Sequence, residues 1–415
     1  MTANNDKPWA GQRAKDFSAW HAMCSYLGAF PPALANYFIR AFTDQNNVVL
    51  DPFSGRGTTL LEARMLGRQA LASDLNPIAL SLTRAKNASV TLEEVLVRIE
   101  QLQKRYDTTL YLPEAGAQSD EINLIYHPRT LAQLCYLKRR LVTSITDVDR
   151  FLVGCVLGIM HGGVRKDGTS GYASISMPNT FSMSPEYVRR FVQTNQLARD
   201  FHDVFELLKN KAGRLFKDNF PAGAPGIVVA EDVKKLSLNT DLTPYHGTVD
   251  LVLTSPPYLG VVNYAKQNWI RTWFLNEDPE EVSSRLDDDL SLTEWLSFME
   301  KSLLSLMPLM RPNGTAVFII GDVAKSNSIV ALAREFCHMV QEKGFFKNIW
   351  YISDSVGEVD KTTRIWGETK GKATAIDRIV VLSNVDPFAD NNRLPEEERI
   401  SQHYLAESQN WSVAV

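Results

Sequence analysis

The sharpest constraint in the sequence is a buried strand that two successive prolines end abruptly. Residues 249-VDLVLTS-255 are rich in apolar, β-prone side chains, which predicts a strand inside a sheet. Pro256 and Pro257 follow, and neither has a backbone N–H with which to continue a ladder of hydrogen bonds. Because each proline also fixes its own φ, we expect rigid, unpaired carbonyls here, beside the Ser255 hydroxyl and the Tyr258 ring. Such a corner suits a planar group that carries an amino group.

Taken alone, this pattern also fits a loop that leaves a sheet and buries a tyrosine, and a second stretch decides between the two. In 48-VVLDPFSGRGTTLLEA-63 a predicted strand is followed by a turn with Gly55 and Gly57 and then by a helix. Glycines in this context let a ligand approach the backbone closely. The stretch lacks the third glycine of a dinucleotide fingerprint and the Gly-Lys-Ser/Thr of a P-loop. It therefore indicates a ligand site without identifying the ligand.

Acids at the tips of two further predicted strands strengthen this site. Asp74 ends 69-QALASD-74, 23 residues after Asp51, where a carboxylate can accept hydrogen bonds from two ribose hydroxyls. Asp232 ends 226-GIVVAED-232, where it could receive an adenine amino group. The alternative is that both acids only cap the segments that follow them.

Strands alternate with helices along most of the chain. Strands are predicted at 48–53, 69–74, 226–232, 249–255, 315–322, 347–353 and 375–383. Helices are predicted at 31–42, 58–67, 91–106, 128–142, 148–160, 184–216, 295–310 and 328–344. From about residue 78 to 225 the pattern is helical alone. The sequence thus predicts an α/β fold with seven strands and a large helical insertion after the second strand.

Composition is that of a soluble globular protein. The chain has 415 residues, of which 44% are apolar, and its longest apolar runs are shorter than the ~20 residues that span a bilayer. The four cysteines are widely spaced and the first 17 residues lack an apolar signal core, so we expect a reducing cytoplasm and no zinc site. The net charge is −4, but residues 277–289 alone carry seven acids and one base, or −6, which leaves about +2 for the remainder. Net charge therefore does not exclude a DNA partner.

The quoted motifs, in their order, resemble those of bacterial DNA methyltransferases that modify exocyclic amino groups with S-adenosylmethionine. The motifs are DPFSGRGTTLLEA (51–63), DLNP (74–77) and TSPPY (254–258). Residues 21–42 are similar to the segment that closes over the methionine end of the cofactor in this family. The resemblance covers roughly residues 20–85 and 226–384. It implies a Rossmann-like class I methyltransferase fold with a mostly parallel sheet.

The resemblance divides the chain into four parts. Residues 17–85 are expected to form the cofactor-binding half and residues 226–385 the catalytic half of the methyltransferase domain. Residues 86–225 form the helical insertion, a candidate DNA-recognition region, and residues 386–415 form a C-terminal tail.

Roles follow by position from the same resemblance. Phe53, Gly55 and Gly57 would surround the methionine moiety of S-adenosylmethionine, Asp74 would bind its ribose, and Asp232 would lie near its adenine. The predicted cofactor-binding set is completed by Asp51, Ser54 and Thr58. The catalytic tetrapeptide would be Ser255, Pro256, Pro257 and Tyr258.

The first residue of the tetrapeptide bears on the target base. Family members with Ser at this position tend to methylate cytosine N4, and those with Asp tend to methylate adenine N6, so Ser255 favours cytosine. Hydrogen bonds from the target amino group to the Ser255 hydroxyl and the Pro256 carbonyl would aim the nitrogen lone pair at the methyl group. The base would be flipped out of the duplex and stacked on Tyr258. No cysteine stands in a Pro-Cys context, which argues against methylation at cytosine C5.

Three alternatives remain open. Adenine N6 is one, and an RNA base amino-methyltransferase with a similar tetrapeptide is another. A catalytically silent DNA-binding subunit is the third, disfavoured because both key stretches are intact. A protein-glutamine methyltransferase would be expected to have Asn in place of Ser255.

Two basic loops are candidates for contact with double-stranded DNA. The loop at 161–181 carries Arg165 and Lys166 and leads into a helix with Arg189 and Arg190, and the loop at 361–378 holds five bases, among them Lys370 and Lys372, against two acids. Each loop could equally be only a solvated basic surface. The resemblance also allows a cognate restriction endonuclease as a partner, and we expect no membrane and no metal.

Overall fold

Eight strands form one sheet in the computed structural model of the described residues, which are 7–9, 12, 16–165, 167–195, 197–217, 221, 223–259, 264–287, 289–325, 328–355, 372–389, 393–401 and 405. They are β1 (Val48–Asp51), β2 (Gln69–Ser73), β3 (Ile227–Val229), β4 (Val249–Thr254), β5 (Met310–Lys325), β6 (Ser328–Val330), β7 (Asn348–Ser355) and β8 (Lys372–Ser383). The order across the sheet is β3-β2-β1-β4-β5-β8-β7, with β6 paired to the far end of β5.

Most of this sheet is parallel. The pairs β1–β2, β2–β3, β1–β4 and β4–β5 are parallel, whereas β8 is antiparallel to both β5 and β7. The strand order runs outward in both directions from the β1–β4 pair, so the carboxyl ends of these two strands form a topological switch point. In open α/β sheets, ligands bind at such a point. The predicted Rossmann-like class with a mostly parallel sheet is thereby confirmed.

Helices of the described residues cover both faces of the sheet and build the insertion. They are α1 (Pro32–Phe42), α2 (Thr58–Met65), α3 (Pro77–Asn87), α4 (Leu92–Lys104), α5 (Thr108–Gly116), α6 (Asp120–Ile125), α7 (Pro128–Leu141), α8 (Asp147–Ile159), α9 (Pro185–Asn195), α10 (Val204–Leu215), α11 (Tyr264–Gln267), α12 (Trp269–Phe274), α13 (Pro279–Arg285), α14 (Leu292–Leu306) and α15 (Leu332–Lys343).

The two faces of the sheet bury different sets of side chains, as the two-residue period of a strand requires. In β5, Phe318 and Ile320 pack with α14 and α15, whereas Val317 and Ile319 pack on the opposite face with α1. A third hydrophobic cluster holds the insertion together, and it includes side chains of α3, α12 and the segment around Met23. The insertion therefore shares its core with the methyltransferase-like half of the chain.

Two predictions of local structure are wrong. Residues 184–216 form two helices, α9 and α10, because the Asp203 side chain accepts hydrogen bonds from the N–H groups of Phe205 (2.9 Å) and Glu206 (3.4 Å) and so begins a new helix. The helix predicted from residue 328 begins at Leu332, since Ser328–Val330 pairs with β5 as the short β6. Three residues are too few to show a strand period in the sequence.

Gly158 of α8 brings the insertion into direct contact with the segment that precedes the sheet. A Cβ added at Gly158 would lie 1.9 Å from the carbonyl oxygen of Met23, a backbone atom that cannot move aside cheaply. Only glycine allows this close approach of the two backbones.

We predict that Gly158→Ala destabilises the protein by about 1–3 kcal/mol, as overpacking of a tight contact does. The matched control is Gly213→Ala in α10, where an added Cβ meets no atom within 4 Å and the better helix propensity of alanine should leave stability unchanged or slightly raised. Thermal unfolding of both variants measures the difference. Equal melting temperatures for the two would show that the Met23 contact does not constrain the fold.

Candidate cofactor and catalytic site

Direct hydrogen bonds join the two stretches that the sequence singles out. β1 and β4 are parallel neighbours, so the glycine turn after β1 and the tetrapeptide after β4 emerge at the same edge. The Thr254 hydroxyl donates to Asp51 Oδ1 at 2.6 Å, and the Thr59 hydroxyl donates to the Leu253 carbonyl at 3.1 Å. The order of the strands and these two bonds together fix the turn against the tetrapeptide.

A cleft lies at this edge, with about 860 Å³ of space counted out to its open mouth. Six of the predicted cofactor-binding residues line it, namely Phe53, Ser54, Gly55, Thr58, Asp74 and Asp232. Ser255 and Pro257 of the tetrapeptide also line it. The cleft thus brings predicted cofactor residues together with two residues of the tetrapeptide, whereas Asp51, Gly57, Pro256 and Tyr258 lie outside its lining.

The glycine turn adopts backbone conformations that other residues disfavour. Gly55 and Gly57 have φ values of +50° and +74°, in the left-handed region. A Cβ at Gly57 would lie 3.1 Å from both the Cα and the hydroxyl oxygen of Thr83. The turn can therefore pass close to α3, and the N–H groups of Ser54 and Gly57 bond to the carbonyls of Ser73 (2.9 Å) and Ser54 (2.7 Å).

Asp74 is held by the backbone of the same turn. Its carboxylate accepts hydrogen bonds from the N–H groups of Gly55 (2.8 Å) and Asn76 (2.9 Å). Burial raises the pKa of Asp74 to about 6 against the opposing effect of these bonds. A carboxylate in this position gains from any ligand that donates further hydrogen bonds to it.

Asp51 has a different environment, inside the protein behind the turn. It is 1% exposed, and burial raises its pKa to about 7, although the hydrogen bonds from Thr254 and from the Phe53 N–H favour the charged form. Its partners belong to the chain, so it acts as a link between β1 and β4.

The tetrapeptide is fixed by bonds from two directions. The Ile319 carbonyl of β5 accepts hydrogen bonds from the Ser255 hydroxyl (2.9 Å) and the Tyr258 hydroxyl (3.2 Å), which lie 3.1 Å from each other. The Pro257 carbonyl accepts from the indole N–H of Trp295 at 2.7 Å. The expectation that the strand-end carbonyls stay unpaired is therefore wrong for Pro257.

Several cleft residues were missed by the sequence analysis because they lie outside the motifs or carry no pattern. The rings of Tyr26 and Tyr264 stack at the cleft with centroids 5.8 Å apart and planes at 19°. Further residues of the lining are Arg56, Glu231, Leu286, Asp287 and Phe298. Tyr26 does belong to the segment that the family resemblance places over the cofactor, and Arg56 stands between the two glycines, so these two could have been named.

The acidic segment after the tetrapeptide contributes Asp287 to the cleft lining, next to Lys234. Lys234 lies 2.5 Å from Asp287 and 3.2 Å from Asp232, and its ammonium is 5.0 Å from the centroid of the Phe298 ring. Lys234 thus links two carboxylates of the cleft lining, Asp232 and Asp287. The acids of residues 277–289 are evident in the sequence, but their position beside the cleft is not.

Three of the residues predicted to contact DNA, Arg165, Arg189 and Arg190, lie on the insertion. Arg165 bonds to the Thr169 hydroxyl, and Arg189 and Arg190 of α9 pair with Glu121 (2.5 Å) and Glu186 (3.7 Å). Lys166 and Lys370 lie outside the described residues, and of Lys372 only the backbone at the start of β8 is described. Their role in DNA binding stays a prediction.

Arg271 is 1% exposed and donates to backbone carbonyls of the insertion, at Leu157 (3.2 Å) and Asn179 (2.8 Å). Among the described residues there is no group of three side chains that could hold a metal ion. Nor does that part of the chain contain a helix long and apolar enough to cross a membrane.

Comparison with known proteins gives matches over parts of the chain. Residues 7–84 match the family described as DNA methylase. The chain is 24% identical over 292 residues to the Type II methyltransferase M.BsoBI of Geobacillus stearothermophilus, covering 66% of this chain and 56% of that protein. It is 25% identical over 134 residues to the Type II methyltransferase M.MjaII of Methanocaldococcus jannaschii, covering 32% of this chain and 25% of that protein. The chain thus spans about half or less of the length of these relatives.

Similar solved structures include the rRNA methyltransferase AviRa of Streptomyces viridochromogenes, with 13% identity and a TM-score of 0.36 over 93% of this chain and 98% of that chain. TrmN of Thermus thermophilus has 11% identity and a TM-score of 0.29 over 88% of this chain and 52% of that one. Superpositions this loose indicate no substrate, and the Rossmann-like fold is evident from the strand order of the chain itself.

The family match falls on the segment that contains α1, the glycine turn and Asp74, and the two relatives extend the resemblance beyond it. Neither relative separates the cytosine-N4 from the adenine-N6 branch. The resemblance predicted from the sequence is confirmed at this level: the chain is a relative of the DNA amino-methyltransferases, Rossmann-like in fold and with S-adenosylmethionine as its cofactor.

Proposed function

We propose that the protein is a DNA methyltransferase that transfers a methyl group from S-adenosylmethionine to the exocyclic N4 of a cytosine flipped out of duplex DNA. The observation that carries this proposal is the shared cleft, where the glycine turn and Asp74 face Ser255 and Pro257. The similarity to two proteins named Type II methyltransferases supports DNA as the substrate and, by analogy, a cognate restriction endonuclease as a partner.

The cleft suits the cofactor in its chemistry. Hydrogen-bond donors of the cofactor, namely ribose hydroxyls and amino groups, would meet the carboxylates of Asp74 and Asp232. Its cationic sulfonium centre would find aromatic rings, which attract cations, in Tyr26, Phe53 and Tyr264. When bound, S-adenosylmethionine supplies the electrophilic methyl group for a direct displacement. The residues of the chain have to orient the acceptor.

Ser255 is suited to accept a hydrogen bond from the target amino group. An amino nitrogen on a pyrimidine is a poor nucleophile because its lone pair is delocalised into the ring. The single hydroxyl hydrogen of Ser255 points to the Ile319 carbonyl, which leaves an oxygen lone pair as an acceptor. Together with the Pro256 carbonyl, this acceptor would hold the two amino hydrogens so that the nitrogen lone pair faces the methyl group. The tetrapeptide would thus act through orientation and charge stabilisation, without a covalent intermediate.

Ser255 also supports the choice of cytosine, since family members with Ser first tend toward cytosine N4. Adenine N6 is the second candidate, because both acceptors would bind its amino group equally well. An RNA base is the third. A catalytically silent subunit is opposed by the intact Ser255 geometry and by the cleft that reaches it.

Labelled S-adenosylmethionine incubated with the protein and genomic DNA tests the proposal in one experiment. After digestion to nucleosides, chromatography should show the label in N4-methyldeoxycytidine. Label in N6-methyldeoxyadenosine instead would move the protein to the adenine branch. Label found only in a parallel RNA sample would show that the substrate is RNA and not DNA. Absence of label from every sample would contradict the proposed methyltransferase activity.

Asp74→Asn should weaken cofactor binding by about 10- to 100-fold, because charge-assisted hydrogen bonds to the ribose become neutral ones. The wild-type affinity should fall as the pH drops through about 6, since protonation removes the charged acceptor, and the variant should lose this part of the pH dependence. Calorimetric titration between pH 5 and 8 measures both effects.

The control for this variant is Asp44→Asn, which removes an exposed carboxylate paired with Arg393. It should bind the cofactor like the wild type at every pH. An Asp74→Asn variant with the affinity and pH profile of Asp44→Asn would remove Asp74 from the cofactor site.

Tyr258→Ala should leave cofactor affinity within about twofold of the wild type and abolish most methyl transfer. The loss of base stacking, ~1–3 kcal/mol, corresponds to roughly 5- to 150-fold in rate or DNA affinity. Tyr258→Phe keeps the ring and removes only the hydroxyl, with its contacts to the Ile319 carbonyl and the Ser255 hydroxyl, so it should retain more activity than the alanine variant. Equal losses in the two variants would point to the hydroxyl and against stacking.

A further inference from the structure

Trp295 makes a direct contact with the tetrapeptide although it lies 38 residues away in the sequence. It belongs to the first turn of α14 and is fully buried, and its indole N–H donates to the Pro257 carbonyl at 2.7 Å. The start of this helix is itself fixed, because Ser291 and Glu294 form a reciprocal capping box. The donor is therefore held in place before any ligand binds.

The geometry of the tetrapeptide shows what this bond controls. Both prolines have their φ angles fixed by their rings, so the remaining backbone freedom of the corner lies mainly in ψ. The bond from Trp295 fixes the direction of the Pro257 carbonyl and thus its ψ. The bond from Ser255 to Ile319 fixes the other end. The Pro256 carbonyl, a proposed acceptor of the target amino group, lies between these two anchors.

Both anchors belong to one packed unit. Trp295 packs edge-on against Phe336 of α15, with ring centroids 6.3 Å apart, and Phe336 packs in the same way on Phe318 at 5.1 Å. Phe318 directly precedes Ile319, whose carbonyl holds Ser255. The rings of Trp295, Phe336 and Phe318 therefore form a continuous row. This row links the donor to the Pro257 carbonyl with the strand residue that holds Ser255.

We propose that Trp295 is a positioning residue for methyl transfer: its indole N–H holds the Pro257 carbonyl, so that the Pro256 carbonyl and the Ser255 hydroxyl meet the target amino group in the reactive orientation. This inference rests on the proposed function. Trp295 touches neither the cofactor nor the base in this scheme, since it acts through the backbone of the tetrapeptide. Removal of the indole N–H should therefore lower the rate of methyl transfer and leave the affinities for cofactor and DNA unchanged.

The test is Trp295→Phe, which keeps an aromatic ring in the row and removes the N–H donor. Trp350→Phe is the matched control, since Trp350 is 1% exposed and packs edge-on with Phe388 on the face of the sheet opposite to Trp295. For each protein, cofactor affinity is measured by calorimetry, and DNA affinity and the single-turnover rate constant are measured separately. Rates are normalised to the fraction of protein that binds cofactor, so that partial unfolding does not mimic a loss of chemistry.

The expected result is a single-turnover rate constant lowered about 10-fold or more in Trp295→Phe, as small misplacements of reacting groups produce, with both affinities within about twofold of the wild type. Trp350→Phe should keep the wild-type rate constant. An active wild type with equal normalised rates in the two variants would overturn the positioning role and leave the proposed function intact. Loss of cofactor affinity in Trp295→Phe alone would also overturn it, because the residue would then shape the cofactor site. A wild type without transfer to any nucleic acid would instead contradict the proposed function itself.

Discussion

The hydrogen bond between Thr254 and Asp51 is the link on which the arrangement of the site depends. It joins the last residue of β4 to the last residue of β1, immediately before the tetrapeptide and the glycine turn. Burial of Asp51 makes its charged form costly, and the pKa of about 7 shows that the bonds from Thr254 and Phe53 compensate only in part. Because a carboxylate and a carboxylic acid both accept a hydrogen bond from a hydroxyl, the link persists in either protonation state.

Polar groups gather at this edge because the strand order opens a crevice there. Between β1 and β4 the connections diverge to opposite sides, which opens a crevice at the carboxyl ends of these strands. Asp74 and Asp232 both follow strands on the β1 side, whereas Ser255 and the Ile319 carbonyl belong to β4 and β5. A ligand that spans the crevice would therefore meet carboxylates at one end and the proline corner at the other.

The part of the site that the sequence predicts is the part encoded by short, contiguous segments. Gly55 is recognisable because a strand, a turn and a helix follow one another within 16 residues, and Ser255 because two prolines stop a strand. Trp295 and Asp287 have no such local signal. They reach the site only through the packing of α14 and through the ion pair with Lys234, which depend on contacts between distant segments.

The same reasoning applies to the helical insertion. The break between α9 and α10 depends on Asp203 as a helix cap, and Asp203 lies within an otherwise helical pattern. The apolar period continues on both sides of the break and so hides it. The general rules for parallel crossovers, in contrast, restrict the sheet order to a few topologies once the strands are known.

Arg271 explains how the insertion and the catalytic half are held at a fixed distance. Its guanidinium replaces water for the carbonyls of Leu157 at the end of α8 and Asn179 in the loop 161–181, and its own helix, α12, begins 11 residues after Tyr258. A buried guanidinium with several bonds to backbone carbonyls resists displacement, since each lost bond leaves a buried polar group unsatisfied. The loop that carries Arg165 is thereby tied to the segment that leaves the tetrapeptide. In the proposed function, a duplex bound at that loop would be held at a fixed distance from the tetrapeptide.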